Sequence, residues 1–184
     1  MKRFKMVTLA TTCLVVAAMV VPVFAWQLGG KDMVRRGTGA RSKAFLTVYY
    51  ASLYVPAELR TVNAQQVIDA DQPMSIIMKI DSRLVSRDSF VSAVRGGFTK
   101  VGYASSKVQQ YLNMFNGIEI IKGDVFYQNY VPGTGVTVVY KSKKTGQSRT
   151  LGTVSGLDFK KAFWGMFLGS NCIDSGLRSG MLGR

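Results

Sequence analysis

Histidine is missing from all 184 residues, and its absence removes several chemistries together. Ser-His-Asp hydrolysis, the HExxH zinc site and the usual haem axial ligand each need an imidazole. Cysteine is nearly as scarce, with only Cys13 and Cys172. Cys13 falls in an N-terminal stretch that reads as a leader, so the rest of the chain can close no internal disulfide and has no second thiol for a metal. Without a histidine base, Cys172 reads as a core residue rather than a nucleophile. No metal and no cofactor are expected. Acidic residues are few, 10 Asp and Glu against 24 Lys and Arg, for a formal charge of +14. Internal repeats, low-complexity tracts and Pro-rich or Ser-rich linkers are also absent, as expected of one domain with its own core.

The first 25 residues combine a basic start (Lys2, Arg3, Lys5), an uncharged run from Met6 to Phe24, and small residues around "VFA" ending at Ala25. This pattern predicts a cleaved secretory signal over residues 1–25 and a domain over 26–184, hence a periplasmic or secreted protein. An uncleaved anchor is the alternative, since the run is nearly long enough to span a bilayer. Pro22 and the small residues beyond it favour cleavage. Loss of the leader takes the charge from +14 to +11, because Lys2, Arg3 and Lys5 leave with it. An exported cation of this size meets anionic lipid head groups and acidic small molecules first, so an anionic membrane surface is a candidate contact. Nucleic acid is not an expected partner. The densest basic stretch, "KSKKTGQSR" from Lys141, reads as a solvated hairpin loop.

Alternation and β-branched or aromatic enrichment predict strands over 32–36, 44–55, 75–80, 124–130, 134–140 and 148–154. Two amphipathic helices are expected between them. Over 86–100, Phe90, Val91, Val94 and Phe98 recur at helical spacing behind the capping residues of "SRDS". Over 105–115, Val108, Tyr111, Leu112 and Phe115 share a face. Near the C-terminus Phe159, Ala162, Phe163 and Met166 mark a third helix that Gly169 can end, and "IDSGLRSGMLG" a short fourth one opening on Asp174. "FWGMFLG" is explained by a helix face buried on a sheet, with Phe163, Trp164 and Phe167 inside. "GTGAR" from Gly37 lacks phosphate-loop spacing and reads as a backbone turn; "VPGTG" from Val131 reads as a turn between two strands. Strands, helices, strands, helices imply an α+β domain with a mainly antiparallel sheet.

Three segments in this order, "GTGARSKAFLTVYYASLYVP", "VPGTGVTVVY" and "LGTVSGLDFKKAFWGMFLGSNCIDSGLRSGMLG", resemble the chalcone isomerase-like family in its bacterial exported branch. The resemblance implies a chalcone-isomerase fold, an antiparallel sheet backed by a layer of helices in an open-faced β-sandwich, with a ligand cleft between the layers. The family includes isomerases, which close a chalcone to a flavanone, and non-catalytic fatty-acid binders. Arg41 matches the cleft arginine common to both. A guanidinium stays charged and offers a planar fork, so it suits an enolate or phenolate in the first case and a carboxylate in the second. "VYYASLY" resembles the fatty-acid-binding branch and puts Tyr49 where the isomerases carry a catalytic threonine. Tyr49 can donate to a carboxylate while its ring lines an apolar wall; a core tyrosine satisfied by backbone is the other reading.

The resemblance thus points to a small amphiphilic or phenolic ligand. Arg41 and Tyr49 are the candidate ligand-binding residues of a binder, the favoured reading, with an anionic amphiphile such as a fatty acid as its ligand. The alternative is an intramolecular lyase in which Arg41 and, on a weaker match through "KVGYAS", Tyr103 are catalytic. Asn171 and Cys172 in "SNCIDSG" do not carry over. Lys43 is expected to face solvent. Eight residues separate Arg41 from Tyr49, roughly 26 Å in one extended strand. They can meet on a ligand only if the chain reverses within 42–45.

Overall fold

The computed structural model describes residues 26–184; the expected leader, residues 1–25, lies outside them. Strands β1 (Trp26–Leu28), β2 (Lys31–Lys43) and β3 (Leu46–Val55) lead through a 3-10 turn, Ala57–Leu59, into helix α1 (Ala64–Asp69) and strand β4 (Met74–Ile80). Helices α2 (Arg87–Lys100) and α3 (Ser106–Asn113) follow, then β5 (Val125–Val131), β6 (Gly135–Lys141) and β7 (Ser148–Val154), and finally α4 (Leu157–Leu168) and α5 (Ser175–Met181). The strands form one sheet in sequence order, every neighbouring pair antiparallel. The expected α+β architecture, an antiparallel sheet backed by helices, is the one found.

Strand alternation selects the covered face. Tyr49, Ala51, Leu53 and Val55 of β3, Met74, Ile76, Met78 and Ile80 of β4, and Phe126, Gln128 and Tyr130 of β5 are all buried, every second residue pointing toward the helices. The helices answer with the faces that their spacing predicts: Phe90, Val94 and Phe98 from α2, and Val108, Tyr111 and Leu112 from α3, with Phe115 just beyond it, are buried. Ser86 and Ser89 close a capping box on α2, the Asp174 carboxylate accepts from Leu177 N at 2.8 Å to start α5, and Gly169 ends α4. Helix α4 buries Phe159, Phe163, Trp164, Met166, Phe167 and Leu168, so it is the central helix of the layer rather than an amphipathic cover.

Lys160 lies on that same buried helix. Its ammonium donates to the carbonyls of Val67, Ile68 and Ala70 at 2.7–2.8 Å, closing the C-terminal end of α1. The rings of Tyr130 and Trp164 flank it. Burial pulls its pKa down to about 7, a cost that the three carbonyls and two rings offset.

The structure departs from the sequence reading at β2. "GTGAR" is not a turn: it continues the strand to Lys43, well past the expected end at 36. The reason is helix α5. A Cβ on Gly37 would stand 2.3 Å from Gly180 O, and one on Gly39 2.1 Å from Leu177 O. These glycines let a helix backbone rest directly on a strand backbone. The strand expected over 44–55 begins only at Leu46, because Ala44 and Phe45 form the turn. β1 and α1 went unrecognised. Three and six residues are too short to show a period, although Asn63 and Gln66 form a full capping box on α1.

Candidate functional site

A two-residue turn, Ala44 and Phe45, joins β2 to β3, with Lys43 paired to Leu46. Both turn residues have positive φ, 46° and 67°, as the hairpin geometry that fits strand twist requires. The reversal falls inside the predicted interval and makes Arg41 and Tyr49 direct cross-strand partners. Directly opposed residues have Cβ atoms roughly 5 Å apart on the same face of the sheet, where a straight strand would keep them roughly 26 Å apart. Next to this pair the register slips by one residue at Val48. That bulge leaves Val48 O free to accept from the N–H groups of both Asp81 and Ser82.

Arg41 and Tyr49 form one end of a cleft between the sheet and the helices. Met78 of β4, Phe90 and Val94 of α2, Met166 and Phe167 of α4, and Ile173 line the rest. The walls are apolar apart from the Arg41 guanidinium and the Tyr49 hydroxyl. Arg41 makes no salt bridge with a described residue. Burial pushes the Tyr49 phenol up to about 12 against the opposing pull of the Arg41 charge, and the Asp174 carboxylate adds to the rise. The phenol therefore remains a neutral donor at physiological pH. The free space is about 30 Å³, room for about one water. An alkyl chain enters only when side chains move. Two of the wall residues, Met78 and Met166, are unbranched thioethers, the side chains that repack most readily.

Deeper in the core, the Tyr111 hydroxyl donates to Gln128 Oε1 at 3.0 Å. The Gln128 amide nitrogen and the Trp164 indole nitrogen are buried without partners among the described residues.

The other sequence candidates lie elsewhere. Tyr103 lines a separate hollow with Arg95, Phe98, Thr99 and Val108, and its hydroxyl donates to Asp158 Oδ2 at 2.7 Å. The structure does not bring it to Arg41. Lys43 is exposed, as expected. Cys172 is buried, its thiol 3.5 Å from Asp174 O, in keeping with a core role. Asn171 faces outward. Among the described residues, no cluster of His, Cys, Asp and Glu suits a metal ion.

A roomier hollow, about 630 Å³, lies between residues 83–88 and 117–121, but it is open to solvent and mixes Arg83, Arg87, Asp88 and Glu119. It has no enclosed apolar wall to hold a ligand. The sequence reading missed Met78, Ile173 and Asp174 as neighbours of the site. Phe90, Met166 and Phe167 were legible only as helix core, because nothing in a helical period says which strand residue the face meets.

Seven antiparallel strands in sequence order, a helical layer over one face, and a cleft closed by an arginine define the class of domain. The family model described as chalcone isomerase-like matches residues 16–183, and the chain belongs to that family. No curated protein matches it. Among solved structures it is similar to an Arabidopsis thaliana fatty-acid binding protein, with a TM-score of 0.63 over 84% of this chain and 92% of that one at 17% identity. At that identity the likeness is one of fold.

Proposed function

We propose that this chain is a non-catalytic binder of an anionic amphiphile, a fatty acid being the simplest example, exported and freed of residues 1–25. The observation that carries the reading is the pairing of Arg41 with Tyr49 at the end of an otherwise apolar cleft. The guanidinium takes the carboxylate through charge-assisted hydrogen bonds, and the neutral phenol donates one more. The tail displaces Met78 and Met166 and lies along Phe90, Val94 and Phe167. The fatty-acid binding protein of similar fold supports this assignment. The isomerase alternative gives Tyr103 a catalytic part beside Arg41, and Tyr103 is held by Asp158 outside the cleft.

The test is native mass spectrometry of the gently purified chain. Wild-type protein is expected to carry fatty acid, and Arg41→Ala to lose it. Titration with a long-chain fatty acid should show a roughly 10- to 100-fold weaker affinity for the variant, the value of a hydrogen bond to a charged group. An empty wild type that also fails to take up added fatty acid overturns the reading. Chalcone turnover abolished by Arg41→Ala replaces it with the isomerase. The mass of the N-terminus recovered from an exporting host decides whether the leader is removed at Ala25.

A further inference from the structure

Strands β2, β4 and β6 finish, and β3, β5 and β7 begin, at the same end of the sheet. That end gathers the β2–β3 turn, the segment after β4 and the loop between β6 and β7. At the turn, the Phe45 side chain is fully exposed, at 105% relative accessibility, and Leu46 is exposed at 53%. Leu84, exposed at 78%, follows β4 in a segment that the N–H groups of Asp81 and Ser82 tie to Val48 O of β3. This end of the sheet therefore exposes three large apolar side chains, Phe45, Leu46 and Leu84.

Free positive charge outweighs free negative charge at this end. Lys43, Arg83, Lys141, Lys143, Lys144 and Arg149 are all exposed, and none makes a salt bridge with a described residue. Of the acids at this end, Asp81 is paired with Lys122, Asp88 with Arg87, and Asp124 is buried under bonds from Ile121 N, Lys143 N and the Tyr140 hydroxyl. Glu119 is the one of these acids that is exposed and makes no salt bridge with a described residue. Exposed apolar side chains and free cations at one end of a sheet complement a surface with phosphate on the outside and hydrocarbon beneath.

The turn supplies a second argument. Two-residue hairpin turns with positive φ at both positions favour Asn-Gly or a similar pair, yet here the positions are Ala44 and Phe45. An aromatic residue at φ 67° is strained, and it makes no compensating contact in the folded chain. Its ring is free to meet something outside the molecule.

We infer that this end of the sheet docks on an anionic lipid bilayer, with Phe45, Leu46 and Leu84 entering the acyl boundary and the lysines and arginines of the same end holding the head groups. The inference does not depend on what the cleft holds.

The experiment places a reporter at the tip. Full-length protein carrying Phe45→Trp is mixed with vesicles of equal parts phosphatidylglycerol and phosphatidylcholine with brominated chains, and its emission is compared with the wild-type background from Trp26 and Trp164. The expected result is a blue shift and bromine quenching of the reporter, lost in high salt and absent on phosphatidylcholine alone. Attachment through residues 1–25 would not by itself put position 45 in lipid. Adding Lys43→Gln and Arg83→Gln should raise the vesicle concentration for half-maximal quenching roughly 30-fold, at about fivefold per basic residue.

A second reporter, Leu84→Trp, carries Phe45→Gly. This glycine relieves the turn and raises the melting temperature, yet it should weaken quenching at position 84 by about tenfold or more. A merely structural role for Phe45 would not separate the two. A reporter that stays in water on anionic vesicles, that inserts equally into phosphatidylcholine, or that is shielded only by added nucleic acid or protein overturns the inference.

Discussion

A methyl group on Gly39 would stand 2.1 Å from the carbonyl oxygen of Leu177 and 2.8 Å from its carbonyl carbon. Both atoms belong to the backbone of helix α5, so no rotamer change relieves the contact. Ordinary contact between such atoms is about 3.5 Å, and the helix has to withdraw by about 1 Å. Gly39 is not among the residues with positive φ, so alanine suits its own backbone and the whole effect is steric. A retreating α5 loosens Leu177 and Met181, both fully buried. Overpacking costs about 1–3 kcal/mol where side chains can yield, and partial exposure of two large apolar residues adds about 1–2 kcal/mol more. Gly39→Ala is therefore expected to destabilise the protein by about 2–5 kcal/mol, which lowers the melting temperature by roughly 10 °C for a domain of this size. Gly96→Ala is the control, since a Cβ there meets nothing within 4 Å. Mid-helix in α2, it should add about 0.5–1 kcal/mol. Thermal unfolding followed by circular dichroism, with urea unfolding as a check, reads both. A Gly39→Ala loss below about 1 kcal/mol, no larger than that of an average substitution, would refute the backbone-on-backbone seam.

Alkaline pH should unfold the protein steeply. Burial is the largest cause raising the phenols of Tyr49, Tyr103, Tyr111, Tyr130 and Tyr140, Tyr49 to about 12. The unfolded chain releases these protons near pH 10 while the folded chain keeps them, so stability falls as pH rises from 10 toward 12. Tyr49 alone accounts for about 2–3 kcal/mol at the upper end. Melting temperature against pH should show the fall, less steeply in Tyr49→Phe, and a flat profile would contradict the burial. Lys160→Met should cost about 3 kcal/mol or more, because three carbonyls lose their donor together. Amide hydrogen exchange should report the loss first in α1; unchanged exchange there would show that Lys160 does not hold that helix end.

Much of this fold was legible because its elements are long and periodic. The stripes Phe90, Val94, Phe98 and Val108, Tyr111, Leu112 are core faces in the structure as in the sequence. The caps at Ser86 and Asp174 were visible as residue types that accept from a free helix N–H. "GTGAR" misled for a physical reason. Two glycines in five residues usually serve a turn's dihedrals, but Gly37 and Gly39 serve the approach of a distant helix, and a local reading has no term for a partner some 140 residues away. The candidate site was half legible. The resemblance supplied Arg41 and Tyr49, and strand arithmetic required a reversal between them, which Ala44 and Phe45 provide.

By itself the sequence determined the chemistry that this protein can perform and the class of fold that performs it. It has no imidazole, one thiol in the described domain, an excess of cations, and apolar periods that form an antiparallel sheet and its helical cover. Those properties are local, written in residue types and spacing. Only the tertiary structure decided that the apolar faces of α2 and α4 meet the Arg41–Tyr49 pair, that Tyr103 stands apart with Asp158, and that the segments carrying Phe45 and Leu84 end up at the same end of the sheet. Such relations join residues far apart in the chain, and they are set by the packing of whole elements, which no single segment encodes.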